Sequence, residues 1–127
     1  MGDRLWVDVR LSVPQRVVVY RGETAVRRMV ASAGLPGQET PKGVYRLQNR
    51  GEQFFSWRYR QGGYYWVRFL GNYLFHSVPF DEQGRLLTEE EAKLGCPASH
   101  GCVRLSLDDA RWFYDNVPDG TLVVVRE

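Results

Sequence analysis

The chain opens with Leu5-Trp6-Val7-Asp8-Val9-Arg10-Leu11, a loose apolar/polar alternation rich in strand-forming residues. Ser12-Val13-Pro14-Gln15 reads as a turn, and Arg16-Val17-Val18-Val19-Tyr20 resumes as a strand. Arg21-Gly22-Glu23 is the next tight turn, and Thr24 to Ala33 the third strand, so the first third predicts an antiparallel meander. Gly34 to Gly43 is rich in breakers and reads as a loop, followed by a strand over Val44–Gln48. Phe54 to Phe69 carries eight aromatic residues and predicts two strands joined at Gln61-Gly62-Gly63, where a Gly-Gly pair accepts the positive φ of a hairpin turn. These aromatics suit a sheet core with cross-strand pairs or a wall beside a groove, and the two can share opposite faces. Asn72-Tyr73-Leu74-Phe75-His76 is a short strand that leaves through a loop over 77–84.

Two stretches carry helix signals instead. Thr88-Glu89-Glu90-Glu91 matches a capping box, with Gly95 placed to stop a short helix, and the acidic triplet suits a helix N-terminus. Ser106-Leu107-Asp108-Asp109 is a second capping box. It opens a helix whose Ala110, Phe113, Tyr114 and Val117 recur at i, i+3, i+4 and i+7. Pro118-Asp119-Gly120 ends it, and Thr121 to Val125 is the closing strand. The pattern predicts a mainly β, β-sandwich-like fold with two short helices, in one domain over residues 1–127.

Composition adds little to this picture but excludes several classes. Seventeen basic against fifteen acidic residues leave a charge of +2, and the arginines are dispersed, so nucleic acid is not an expected partner. No apolar run approaches the ~20 residues of a membrane span. Met1-Gly2-Asp3-Arg4 lacks the layout of a secretory signal, which leaves a cytoplasmic chain or one whose leader lies outside this sequence. Two cysteines do not define a disulfide scaffold or a redox compartment.

The chemistry gathers in one place. Both histidines, His76 and His100, and both cysteines, Cys96 and Cys102, lie between positions 76 and 102. Ser99-His100-Gly101-Cys102-Val103-Arg104-Leu105 sets a hydroxyl, an imidazole, a permissive glycine and a thiol beside one another. A thiol attacks as thiolate and needs a base or a positive charge nearby, while glycine before it permits a tight turn and the close approach of a substrate. Consecutive N–H groups in such a turn can converge on an oxyanion. The same four side chains also form a Cys₂His₂ complement, and a zinc-stabilised binding module is the reading from another class, although the spacings are not those of a zinc finger.

His76-Ser77 followed by Ser99-His100-Gly101-Cys102-Val103-Arg104-Leu105 resembles the L,D-transpeptidase catalytic domain, whose motif is a histidine, a gap, then Ser/Thr-His-Gly-Cys, an apolar residue and Asn or Arg. Thr40-Pro41-Lys42-Gly43-Val44-Tyr45 resembles that family's Thr-Pro-x-Gly turn, and Ala110 to Val125 its closing helix and strand. The resemblance implies the family's fold and no cofactor or metal. It implies a peptidoglycan stem tetrapeptide as donor, cleaved between its third residue and the terminal D-alanine to form a 3→3 cross-link through a thioester. Water in place of the acceptor amine gives an L,D-carboxypeptidase, and a silent wall-binding domain is a further alternative.

By the same resemblance Cys102 is the nucleophile and His76 the base, with the carbonyl of Ser77 fixing its tautomer. His100 is a supporting residue that contacts substrate, and the N–H groups of His100, Gly101 and Cys102 form the oxyanion hole. Ser99, Arg104 and Tyr73 are candidate substrate-binding residues. Arg104 can alternatively pair with Asp108 or Asp109, and Thr40 can line the cleft. Carbapenem-type β-lactams are implied as covalent inhibitors, and the cell wall or periplasm as the site of action. Two features depart from the family pattern. The 22 residues between His76 and Ser99 are a long gap, expected to extend a flap over the site. Cys96 is not a motif residue, and both thiols are expected to be free.

Overall fold

The computed structural model describes residues 4–127. The start of the stretch read for an export signal, residues 1–3, lies outside the described residues. Nine strands and two helices follow one another: β1 Leu5–Arg10, β2 Arg16–Arg21, β3 Thr24–Ser32, β4 Gly43–Arg46, β5 Arg50–Ser56, β6 Gln61–Leu70, β7 Tyr73–Ser77, α1 Thr88–Glu91, β8 Val103–Leu105, α2 Leu107–Asn116 and β9 Leu122–Arg126.

The strands run side by side in the order β4-β9-β1-β2-β3-β8-β7-β6-β5. The meander β1-β2-β3 is antiparallel, as its tight turns require, whereas β1–β9 and β7–β8 are parallel pairs made by chain that returns from elsewhere. The nine-residue β3 belongs to both halves of the sheet, pairing with β2 along most of its length and with β8 at its end. Gln48 N–H then donates to Arg68 O (2.8 Å) and Arg68 N–H to Asn49 O (2.9 Å), so the chain after β4 is tied to β6 and the sheet curls onto itself. The chain thus adopts the expected mainly β fold with two short helices, its strands forming a single curled sheet.

Alternation decides which residues fill it. Val7 and Val9, Val17 and Val19, Met29 and Ala31, Val123 and Val125 are buried at every second position of their strands. They meet Val67, Phe69, Phe75, Val103 and Leu105 in one cluster. Helix α2 seals it with Ala110 and Phe113, and the Phe113 ring stacks 4.6 Å from that of Phe75. Ser106 caps α2 as its sequence predicts, accepting the N–H of Asp109 at 3.1 Å.

Three local expectations are corrected. The hairpin between β5 and β6 turns at 57–60, with Arg60 at φ 54, and Gly62 and Gly63 lie inside β6. Those glycines serve close approach: a Cβ at Gly62 would stand 2.3 Å from Phe80, and one at Gly63 would stand 2.6 Å from His76. Thr88 is the first residue of α1 and not its cap, because Leu87 holds the cap position and makes no side-chain cap bond. The strand expected over Val44–Gln48 ends at Arg46, since Leu47 and Gln48 turn to bond Thr121 and Arg68.

Candidate active site

Strands β7 and β8 bring the two halves of the motif together. They pair in parallel with His76 opposite Arg104, flanked by Phe75–Val103 and Ser77–Leu105. Phe75, Val103 and Leu105 go to the core. Alternation sends Leu74, His76, Cys102 and Arg104 to the other face, where all four line one cleft of about 600 Å³. Residues 26 positions apart thus share one site because two short strands are adjacent.

His76 is buried, and its Nδ1 lies 2.5 Å from the Ser77 carbonyl. A carbonyl only accepts, so Nδ1 carries the proton and Nε2 keeps the lone pair. Phe54 stands edge-on to the ring at 5.1 Å and 78°. Burial drives the His76 pKa down to about 4, opposed by the Ser77 carbonyl and assisted by the positive charge of Arg104. At neutral pH the imidazole is uncharged and able to take a proton. The Ser77 hydroxyl works elsewhere. It accepts Tyr64 N–H (3.0 Å) and donates to Val78 O (2.8 Å), fastening β7 to β6.

Cys102 is half-buried at the mouth of β8, its Sγ 3.6 Å from Asn72 O. Burial pushes its thiol pKa up, while the Leu74 backbone and the Arg104 charge pull it down. Burial thus works against the charged form of both groups, the imidazolium of His76 and the thiolate of Cys102.

The turn before Cys102 is held from several sides. Gly101 has φ 134, and a Cβ there would stand 2.5 Å from the Tyr73 ring, so both backbone and space exclude a side chain. Ser99 is buried; its Oγ donates to Cys102 O at 2.5 Å and accepts Gly101 N–H at 3.0 Å. This corrects the expected oxyanion hole, because the Gly101 N–H is already engaged by the Ser99 hydroxyl. Among the described residues the N–H groups of His100 and Cys102 have no protein acceptor. Thr40 does not line the cleft. It lies behind the turn, donating to Gly101 O at 2.6 Å while accepting Gly34 N–H at 3.2 Å.

His100 is exposed and stacks on Tyr59 with ring centroids 3.9 Å apart and 10° between planes. Burial, with the charges of Arg104 and Arg58, holds its pKa below the ordinary value, although Glu90 works the other way. Tyr73 is half-buried and lines the cleft beside Cys102. Arg104 is buried and pairs with neither Asp108 nor Asp109. Its Nη1 bonds Glu90 at 2.7 Å and Ala98 O at 3.1 Å, while Asp109 is taken by Arg27 at 2.8 Å.

The expected flap is also corrected. The wall over the site comes from the β5–β6 hairpin, which contributes Phe54, Ser56, Arg58 and Tyr59. The long segment after His76 gives the cleft Pro79 and otherwise braces that hairpin. Gly62 and Phe80 exchange both backbone bonds at 3.0 Å, and Arg60 pairs with Glu82 at 2.5 Å. Phe54, Arg58, Tyr59, Arg68 and Asn72 line the cleft and carry no motif signal; the aromatic density around 54–69 marks the region but not which rings face inward. Cys96 is exposed, and both cysteines are free thiols. His76, Cys96, His100 and Cys102 do not form a metal centre: among the described residues no three His, Cys, Asp or Glu side chains converge to hold one.

This chain belongs to the YkuD family, the L,D-transpeptidase catalytic domain, which matches residues 4–125. It is 40% identical over 127 residues to YciB of Bacillus subtilis, named as an L,D-transpeptidase, covering 95% of this chain and 65% of YciB. Mycobacterium tuberculosis L,D-transpeptidase 3 is 31% identical over 122 residues, covering 86% of this chain and 41% of the relative. The structure of the L,D-transpeptidase LdtMt1 in complex with imipenem superimposes with a TM-score of 0.81 at 25% identity, over 98% of this chain and 59% of the other. The chain thus spans less than two thirds of each of these relatives.

Proposed function

We propose that this chain is a single catalytic domain that performs L,D-transpeptidation of peptidoglycan, with Cys102 as nucleophile and His76 as general base. The observation that carries the reading is the pairing of β7 with β8. It turns His76 and Cys102 into one cleft, with the imidazole tautomer set by the Ser77 carbonyl. A thiol that shares a cleft with a base oriented by a third group fits the arrangement an activated nucleophile uses.

The donor is a stem tetrapeptide. The Cys102 thiol passes its proton to His76 Nε2 as Sγ attacks the carbonyl between the third residue and D-alanine. The tetrahedral oxyanion is met by the N–H of Cys102 with that of His100, and a donor of this kind is worth about 3 kcal/mol in the transition state. Collapse breaks the amide bond; the D-alanine nitrogen takes the proton from the His76 imidazolium and leaves. A thioester remains on Cys102. The side-chain amine of a second stem's third residue then attacks it, gives a proton to His76 and departs as a 3→3 cross-link, with the thiol restored.

The cleft suits this substrate. Its charged lining residues are Arg58, Arg68 and Arg104, and among the described residues no carboxylate lines it. The stem presents carboxylates, which such a cleft attracts; Tyr73 is the substrate-side candidate, while Ser99 and Arg104, also expected to bind substrate, are buried and hold the Cys102 turn and the Glu90 pair. His100, on its Tyr59 stack, sits at the rim where the stem enters. The same nucleophile and oxyanion donors would accept the strained carbonyl of a carbapenem. Peptidoglycan lies outside the cytoplasmic membrane, which makes that the proposed site of action. Among the described residues no helix is long and apolar enough to cross a membrane.

The test is release of D-alanine from a purified stem tetrapeptide. The parent is expected to release it and to form cross-linked dimer, whereas Cys102→Ala, folded, releases none. D-alanine release by folded Cys102→Ala at the parent rate contradicts the proposal. Release without dimer would make water the acceptor.

A further inference from the structure

Arg104 presents a problem that the motif does not explain. It is a buried cation one position beyond Val103, facing the same cleft as His76 and Cys102, with only 5% of its surface exposed. Removing a guanidinium from water is costly unless an anion and hydrogen bonds replace the solvent. The compensating anion comes from the long segment between His76 and Ser99. Glu90 of α1, with its side chain 14% exposed, meets Arg104 Nη1 at 2.7 Å. The Arg104 Nε is buried and lacks a partner, so the Glu90 and Ala98 contacts are the ones that fix the head. Glu90 also receives Lys93 at 2.6 Å from the solvent side. Burial favours its neutral form, but Lys93 and Arg104 outweigh that and hold the carboxyl below its ordinary range, so it is ionised at neutral pH.

We propose that Glu90 is a positioning residue of this site: its carboxylate locks the Arg104 guanidinium in the cleft it shares with Cys102 and His76 and masks part of that positive charge from the thiol. The proposal rests on the reading of Cys102 as the reactive thiol.

The surroundings leave Glu90 this role. The titratable side chains that line the cleft with the thiol are His76 and Tyr73 from β7, Arg104 from β8, Arg68 from β6, Arg58 and Tyr59 from the hairpin and His100 from its own turn. The formally charged members are all arginines. Glu90, with Lys93 outside it, is the carboxylate that bonds to one of them. An unmasked Arg104 favours thiolate over thiol and opposes the imidazolium that forms with it, so its strength bears on both partners of the proton transfer. Glu90 sets that balance without touching substrate.

The experiment measures iodoacetamide alkylation of Cys102 against pH in a Cys96→Ser background, with the labelled peptide mapped. Glu90→Gln keeps an acceptor oxygen for Arg104 but removes the negative charge, and its alkylation midpoint is expected to move down by about 0.5–1 pH unit. Arg104→Met is expected to move it up. Opposite signs separate the proposal from mere loosening of the site, which would move both variants the same way. Lys93→Met changes an exposed side chain outside the core, so it serves as a second variant. It removes the positive charge on the other Glu90 oxygen, leaving the carboxylate's charge to act on Arg104 alone, and is expected to give a smaller upward movement. A Glu90→Gln midpoint that stays in place or rises with Arg104→Met, or a fall in Lys93→Met, overturns the proposal. Absence of label from Cys102 in the folded parent would instead refute the active-site reading.

Discussion

The hydroxyl of Thr40 and the carbonyl of Gly101, 61 residues apart in sequence, are joined by a 2.6 Å hydrogen bond in the interior. It connects the Thr-Pro-x-Gly turn at the start of β4 to the turn that presents Cys102. The same hydroxyl accepts Gly34 N–H, so one side chain fastens three segments. A loop motif therefore acts on the nucleophile from behind, through the backbone. Thr40→Val keeps the shape but leaves a buried carbonyl and a buried N–H unpaired, a cost of about 1–3 kcal/mol each. The expected result is a lower Tm and acylation slowed about tenfold or more, with Thr40→Ser restoring most of both. Parent-like acylation in Thr40→Val would show that the turn holds without it.

Gly63 gives a second prediction. Its Cα passes so close to the His76 imidazole that a Cβ would stand 2.6 Å from His76 Nδ1 and 2.7 Å from Phe54. Gly63→Ala must push the ring or its Ser77 contact out of place. Misplacement by an ångström can cost about 10²-fold in a positioned reaction. The expected outcome is a fall in acylation rate of that order in a protein that still folds, seen by stopped-flow acylation beside far-UV circular dichroism.

The burial of His76 makes a prediction about pH. Its imidazole resists protonation in the folded chain until about 4, against an ordinary 6.5. Between those values the unfolded chain binds a proton that the folded chain does not. Stability from this group is thus fully present above about pH 6.5 and is lost as pH falls towards 4, by up to about 3 kcal/mol. His76→Gln should flatten this part of the profile. Urea unfolding at pH 7.5 and pH 4.5 measures it; equal losses in parent and variant would mean that the imidazole is not a buried neutral base.

Much of this was legible in the sequence, for identifiable reasons. The strands of the meander and α2 with its Ser106 cap follow from alternation and capping, which are local. The gathering of His76 and Cys102 in one cleft, with the Ser77 carbonyl against the imidazole, agrees with what the resemblance to the L,D-transpeptidase motif implies. Most of what escaped was tertiary. Gly62 and Gly63 look like turn residues by type, yet they lie in a strand because an imidazole and two phenyl rings need the space. Glu90 looks like a helix-start charge, and its pairing with Arg104 becomes visible only when α1 is folded against β8. The Gly101 N–H, counted towards an oxyanion hole, is claimed by Ser99, two residues away. That bond is local, but it depends on a rotamer the sequence does not specify.

The most direct measurement is the mass of the protein after incubation with imipenem, followed by peptide mapping. One covalent adduct per chain is expected, carried on Cys102, formed at the parent rate in Cys96→Ser and absent in Cys102→Ala. Adduct formation in His76→Ala is expected to slow by about 10²–10⁴-fold, the usual contribution of a general base. An adduct on Cys96, or acylation of Cys102 that proceeds at the parent rate without the His76 imidazole, would contradict the assignment of nucleophile and base.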